Sequence, residues 1–256
     1  MIVFGLVLIT STTAFAEGPK PIICEERKII IDGVEERWRL EWVNTPSPAC
    51  GPDDPNWMTC PCEGFAFGER GDLVLVRKRP EQKEERLRLG PLFSEAPAEV
   101  GEAVLQRWDV QARDYTESET PGFASRLQAR PIVQIMRFRD YDHDGRATEF
   151  LLQIGTLPCG KKMSVVVGVS RNNKRLHAFS SVGHPERPLV LQASHWESLL
   201  SAKGPLRVIH WRCGDHAADT EEEFELRAEK GRIYVTLREY ECEEKGRGRL
   251  IKEEAF

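Results

Sequence analysis

Lys28-Ile29-Ile30-Ile31-Asp32-Gly33-Val34-Glu35-Glu36-Arg37-Trp38-Arg39-Leu40-Glu41-Trp42 carries two signals of antiparallel β-structure. Asp-Gly between strand-like runs supplies the positive backbone angles of a two-residue hairpin turn. After the turn, Trp38, Leu40 and Trp42 alternate with Arg37, Arg39 and Glu41. Period two puts one face of a strand in a core and the other in water. A helix would instead need apolar residues every three or four positions.

The same pattern extends along the chain. Leu73–Val76 and Arg86–Leu89 flank a polar span and read as a second hairpin that Gly90-Pro91 ends. Pro131–Arg139 and Glu149–Ile154 read as strands on either side of an acidic loop, and Ser164–Val169, apolar on both faces, reads as a central strand. Arg175–Phe179, Leu206–Trp211 and a hairpin of Glu223–Leu226 with Arg232–Tyr240 complete the strands. Two short helices are expected. One follows from Val100, Val104, Leu105 and Trp108 on a single helical face within Ala98–Trp108, the other from the capping box Ser194-His195-Trp196-Glu197, running through Leu200. The charge-alternating tail Glu243–Phe256 reads as solvated. The fold class is therefore mostly β, an antiparallel sandwich or partly open barrel with two short helices and a disulfide-pinned N-terminal part, with a propeller as the minor alternative.

Met1–Ala16 is uncharged, contains the apolar run Ile2–Ile9 and ends in Ala14-Phe15-Ala16, the pattern of a signal peptide with its cleavage site, though without a basic start. Removing it leaves 256 − 16 = 240 residues, divided by composition into a Cys-rich β-hairpin region (17–90) and a mostly-β domain (91–256) holding the acidic loop at 140–150. No later segment is long and apolar enough to span a bilayer. The expected location is secreted or periplasmic. Seven cysteines in an exported chain imply disulfides first and metals second. Their odd number leaves at least one thiol unpaired or paired between chains. Proximity favours Cys50 with Cys60 or Cys62, and strand order makes Cys213 with Cys242 a second pair. Cys60-Pro61-Cys62, in a proline-rich loop from Thr45 to Gly64, lacks the spacing of zinc-finger thiols and reads as disulfide-forming. With 36 basic and 41 acidic residues and no basic stripe, nucleic acid is not an expected partner; an unknown protein or extracellular ligand is.

The chemistry centres on Asp140-Tyr141-Asp142-His143-Asp144-Gly145-Arg146-Ala147-Thr148-Glu149. A hard cation such as calcium takes six to eight oxygens, and acids at alternate positions aim inward around it. Asp140, Asp142 and Asp144 have that spacing, Gly145 allows the sharp bend, Arg146 offers its carbonyl, and Thr148 a direct or water-mediated oxygen. Leu151 stands where a helical hand needs its bidentate acid; the acid comes early, as Glu149. The segment resembles the strand-to-strand calcium loops of FG-GAP and VCBS repeats of extracellular proteins, over about a dozen residues and once only, so the resemblance extends to the loop and not to a propeller. It implies calcium ligation by Asp140, Asp142 and Asp144, with Thr148 at the family's fourth acid and Glu149 as its substitute. The competing reading is an acidic, solvated β-turn.

No catalytic signature competes with the loop. Gly168-Val169-Ser170-Arg171-Asn172 lacks the second glycine of a nucleophile elbow, and no H-E-x-x-H occurs. His210 and His216, flanking Cys213 and preceding Asp219, are the best histidine cluster, but His210 on a strand is most simply a packed histidine. His195 is most simply a helix-terminus residue. The expected function is an exported, non-catalytic, calcium-stabilised β-rich binding or structural protein; the alternative is a secreted hydrolase with no local catalytic signature.

Overall fold

The computed structural model describes residues 20–51, 62, 64–95, 102–110, 112–117, 120–157, 161–244 and 246–256; the expected signal peptide, Cys60 and Cys159 lie outside them. The chain is mostly β, in four antiparallel sheets, none closed. The first has the order β1 (Ile22–Ile31), β2 (Val34–Trp42), β5 (Leu73–Lys78), β6 (Glu85–Arg88), and a small second sheet joins β3 (Ser47–Ala49), β4 (Gly68–Gly71) and β7 (Ala103–Leu105). In the third, β8 (Glu149–Leu157) pairs β9 (Lys161–Gly168), whose other edge takes the two-residue strands β10 (His177–Ala178) and β11 (Leu191–Gln192). The fourth runs β12 (Leu206–Trp211), β13 (Thr220–Glu229), β14 (Arg232–Glu243) and β15 (Gly246–Ala255). Helices are short: α1 (Gly90–Phe93), α2 (Ala112–Glu117), α3 (Phe123–Gln128) and α4 (Ala193–Ser201), with a 3₁₀ turn at Asp215–Ala217.

The hairpin β8–β9 lies between two cores. Phe150, Leu152, Ile154, Val165 and Val167 pack with Trp38, Leu40, Leu73 and Leu75 of the first sheet. Val166 and Leu151, pointing the other way, pack with Trp196 and Leu199 of α4 and with Phe224, Leu226, Ile233 and Val235 of the fourth sheet. This is why the sequence of β9 is apolar at consecutive positions: a strand buried on both faces cannot alternate. The first core draws residues from both sides of position 90. Within it, Arg77 is buried and forks onto Glu36 at 2.6 and 2.7 Å, with Glu36 also accepting from the Trp38 indole.

Four expectations need correction. Ala103–Leu105 is a strand, not part of a helix: its three residues are all buried and pair with Glu69–Gly71, a placement that the helical spacing of Val104 and Trp108 did not reveal; residues 98–101 lie outside the described residues. Pro131–Arg139 is extended but forms only isolated bridges, Trp108 to Ile132 and Arg139 to Glu149, because Glu25 Oε2 accepts the N–H groups of Ile135 and Met136 in place of a neighbouring strand. The second helix starts at Ala193 with Gln192 as its cap and no side-chain cap bond, so Ser194 forms no capping box. The tail is β15, paired with β14 and bound by opposite charges: Arg238 with Glu253, and Arg247 with Glu221 and Glu223.

Among the described residues there are two disulfides, Cys50–Cys62 and Cys213–Cys242, and Cys24 is a half-buried free thiol. Cys213 is thus unavailable to a His210–His216 metal cluster. Among the described residues no helix is long and apolar enough to cross a membrane.

Candidate metal centre

The acidic loop is the connection between the extended run ending at Arg139 and β8. Arg139 and Glu149 close it by exchanging both backbone bonds. Between them the chain must turn tightly, and His143 and Gly145 take positive φ values of 52° and 88°. Only Gly145 adopts such an angle without strain from a Cβ.

Acid side chains organise the turn. Asp140 accepts the N–H groups of Asp144 and Gly145 on its two oxygens at 2.9 and 3.0 Å. Asp142 Oδ1 accepts the Asp144 N–H at 3.1 Å. Glu149 Oε2 accepts the Tyr141 N–H at 2.9 Å. The carboxylates of Asp140, Asp142 and Glu149 each place an oxygen within 4.8 Å of the others, forming an acidic cluster that could hold a metal ion. Asp142 and Glu149 are fully buried.

The cluster is short of donors. Asp142 Oδ2 is buried with no hydrogen-bond partner. The Thr148 hydroxyl lies 2.5 Å from Glu149 Oε1 and 2.8 Å from the Val169 carbonyl; with one proton for two acceptors, it leaves one of them short. Burial, reinforced by the charges of Asp144 and Asp140, pushes Asp142 up to about 7. Burial, reinforced by the charge of Asp142, pushes Glu149 up to about 9. A buried carboxylate without donors is costly, and either protons or a cation relieve it. A donor set made only of oxygens suits hard cations.

The remaining residues of the loop make contacts of their own. Asp144, itself buried, accepts the N–H of Arg146 at 2.9 Å and of Arg171 at 2.6 Å. It clamps the loop to the turn after β9. The Arg146 side chain reaches Asp32 in the β1–β2 turn at 2.7 Å. Thr148 supports Glu149 as described.

The β13–β14 turn and Asn172 hold the loop from a third direction. The β13–β14 turn donates from Lys230 N–H to the His143 carbonyl at 3.2 Å and from Gly231 N–H to the Asp142 carbonyl at 2.9 Å. Asn172 Nδ2 donates to the Lys230 carbonyl at 2.7 Å. Gly231 has φ of 78°, and a Cβ there would come within 2.7 Å of Asn172 Nδ2 and 3.3 Å of Asp142 Oδ2. The turn Lys230-Gly231 was visible as a hairpin; that it would dock on the acid loop was not, since nothing local links residues 142 and 231. No family model, curated protein or solved structure matches the chain.

Proposed function

We propose that the chain is an exported, non-catalytic binding or structural protein whose acidic loop is held by calcium. The observation that carries this reading is Asp142 Oδ2, a fully buried carboxylate oxygen without a partner, within reach of two further carboxylates. Oxygen-only ligation, a loop running from strand to strand and a glycine at the bend favour calcium over zinc or copper. Two disulfides and the leader-like Met1–Ala16 support export, where calcium is plentiful and an affinity of roughly 0.1 to 1 mM suffices. Asp140, Asp142 and Glu149 are the ligands this reading assigns, with Thr148 orienting Glu149 and Asp144 fixing the loop.

The test is thermal melting in chelator and in calcium at about 10 to 100 mM, which is about 100 times the expected dissociation constant. At about 100 times the dissociation constant, calcium adds about 2.7 kcal/mol, or roughly 5 to 10 °C for a chain of this size. The shift should be present in the natural protein and absent from Asp142→Asn. Equal melting in chelator and calcium would reduce the loop to an acidic turn.

A further inference from the structure

A cleft of about 960 Å³ opens beside the acidic loop, at the upper end of the size range of ligand sites. The way its walls are built identifies what it accepts. Val104-Leu105-Gln106 line one side and Leu151-Leu152-Gln153 the other. Successive residues of a strand point to opposite faces, so a cleft lined by three in a row meets the strand along its edge. Among the described residues both strands are sheet edges: β7 pairs β4 alone, and β8 pairs β9 alone apart from the Arg139–Glu149 bridge.

Among the described residues, the outer edge of β8 has no strand partner beyond its first residue. Glu149 spends its N–H and carbonyl outward on Arg139. In an antiparallel ladder the outward positions alternate, so Leu151 and Gln153 present their backbone groups to the same side. The preceding chain would be the natural partner, but it peels away after Arg139: Val133 N–H goes to the Arg107 carbonyl, and Ile135 and Met136 N–H go to Glu25. The gap between the diverging chains is the cleft. Its walls are apolar at Phe65, Leu105 and Leu151, and Ile132 on its rim is 59% exposed. The lining charges are mixed, with Arg137 and Lys162 against Asp109 and Glu197, and with Arg130 paired to Asp114.

We propose that this cleft is a strand slot, in which an extended peptide segment of a partner protein bonds along the edge of β8 through the backbone of Leu151 and Gln153. Open donors and acceptors in strand register call for another strand, and apolar walls call for apolar side chains at alternate positions. The mixed rim asks for no net charge in the partner. The slot deepens the binding part of the proposed function by naming the class of partner, and it does not depend on the metal.

The probe is a blocked heptapeptide of no net charge, Lys-Val-Thr-Val-Thr-Val-Glu, titrated into the disulfide-intact protein in chelator and again in calcium. Saturable binding below about 1 mM is expected, with hydrogen exchange at the Leu151 and Gln153 amides slowed at least tenfold. Gln153→Pro removes one edge donor where proline is tolerated, on the open side of an edge strand, and should weaken binding at least tenfold. Ile132→Arg, on the opposite rim, leaves β8 intact and should weaken it too, which covers the case in which the proline variant does not fold. Absence of saturable binding, protection confined to other amides, or undiminished binding to a folded Gln153→Pro variant would overturn the slot. Peptide binding that is the same in chelator and in calcium upholds the slot even where melting shows no metal response, so the two readings fail separately.

Discussion

Replacing Asp142 by asparagine tests the centre through a change of sign. The carboxylate is fully buried and one oxygen has no donor. Holding it at about 7 instead of its ordinary 3.8 costs up to about 4 kcal/mol when it is ionised, at about 1.4 kcal/mol for each pH unit between the two. Asparagine has nearly the same shape, carries no charge and can donate from its amide to the neighbouring carboxylates. In chelator at about pH 8, the variant should therefore melt higher than the natural protein, by up to about 8 °C at roughly 2 °C per kcal/mol. In calcium the order should reverse, because only the natural protein gains the ion. The pH dependence has a definite direction. Asp142 and Glu149 have raised values, about 7 and about 9, so the stability they lend in chelator is full below their ordinary values near 4 and is lost as pH rises through the raised ones. The calcium shift should accordingly grow from pH 5 to pH 9, since the ion displaces protons from its ligands as it binds. Differential scanning calorimetry across that range reads both effects. A variant that melts lower than the natural protein in chelator and keeps its calcium shift would refute the reasoning, since Asp142 would then be an ordinary hydrogen-bonded acid.

Asp144→Ala removes the acceptor of two backbone N–H groups and should cost about 2 to 4 kcal/mol, yet retain a calcium shift; loss of the shift in calorimetry would place Asp144 among the ligands. Arg77→Met strands the buried Glu36 carboxylate and should cost about 3 to 5 kcal/mol, read by denaturant unfolding, with Glu36→Gln in the same chain restoring much of it. Burial, with the His195 ring and Lys161 nearby, holds His210 down to about 4. Its contribution is complete above its ordinary 6.5 and declines as pH falls from there towards 4, so His210→Phe should flatten that part of the acid limb in melts against pH. Replacing Cys213 and Cys242 together by serine opens a bridge spanning 29 residues and should lower stability by about 3 to 4 kcal/mol on the chain-entropy account.

Residues whose role is settled by near neighbours in the chain were legible in the sequence. Asp32-Gly33 gave a hairpin, Trp38-Arg39-Leu40-Glu41-Trp42 gave its buried face, and the uninterrupted apolar run of β9 gave a strand with two covered faces. An acidic cluster in this loop was legible from the alternate spacing of Asp140, Asp142 and Asp144, with Glu149 as a substitute acid; that Asp140, Asp142 and Glu149 would be the three to converge was not. What failed depended on distant partners. Ala103–Leu105 is strand because β4 lies beside it, and a short apolar run does not disclose its neighbour. Glu25, some 110 residues away, takes the N–H groups that would have made Ile135 and Met136 strand-paired. The bond from the Arg171 N–H to Asp144, 27 residues back along the chain, was likewise hidden.

Three turns far apart in sequence, at Asp32, Arg171–Asn172 and Lys230-Gly231, all close on one loop of about ten residues. A cation pocket at such a junction exists in full only when the sheets bearing those turns have come together. Reciprocity between occupancy and assembly then follows: whatever factor an ion contributes to holding the turns in place, the assembled turns contribute to holding the ion. If calcium holds the loop as proposed, damage at Asp32 or Asn172, neither of which reaches the acids, should therefore register as a weaker affinity for it, making one small loop a gauge of how well the sheets are joined.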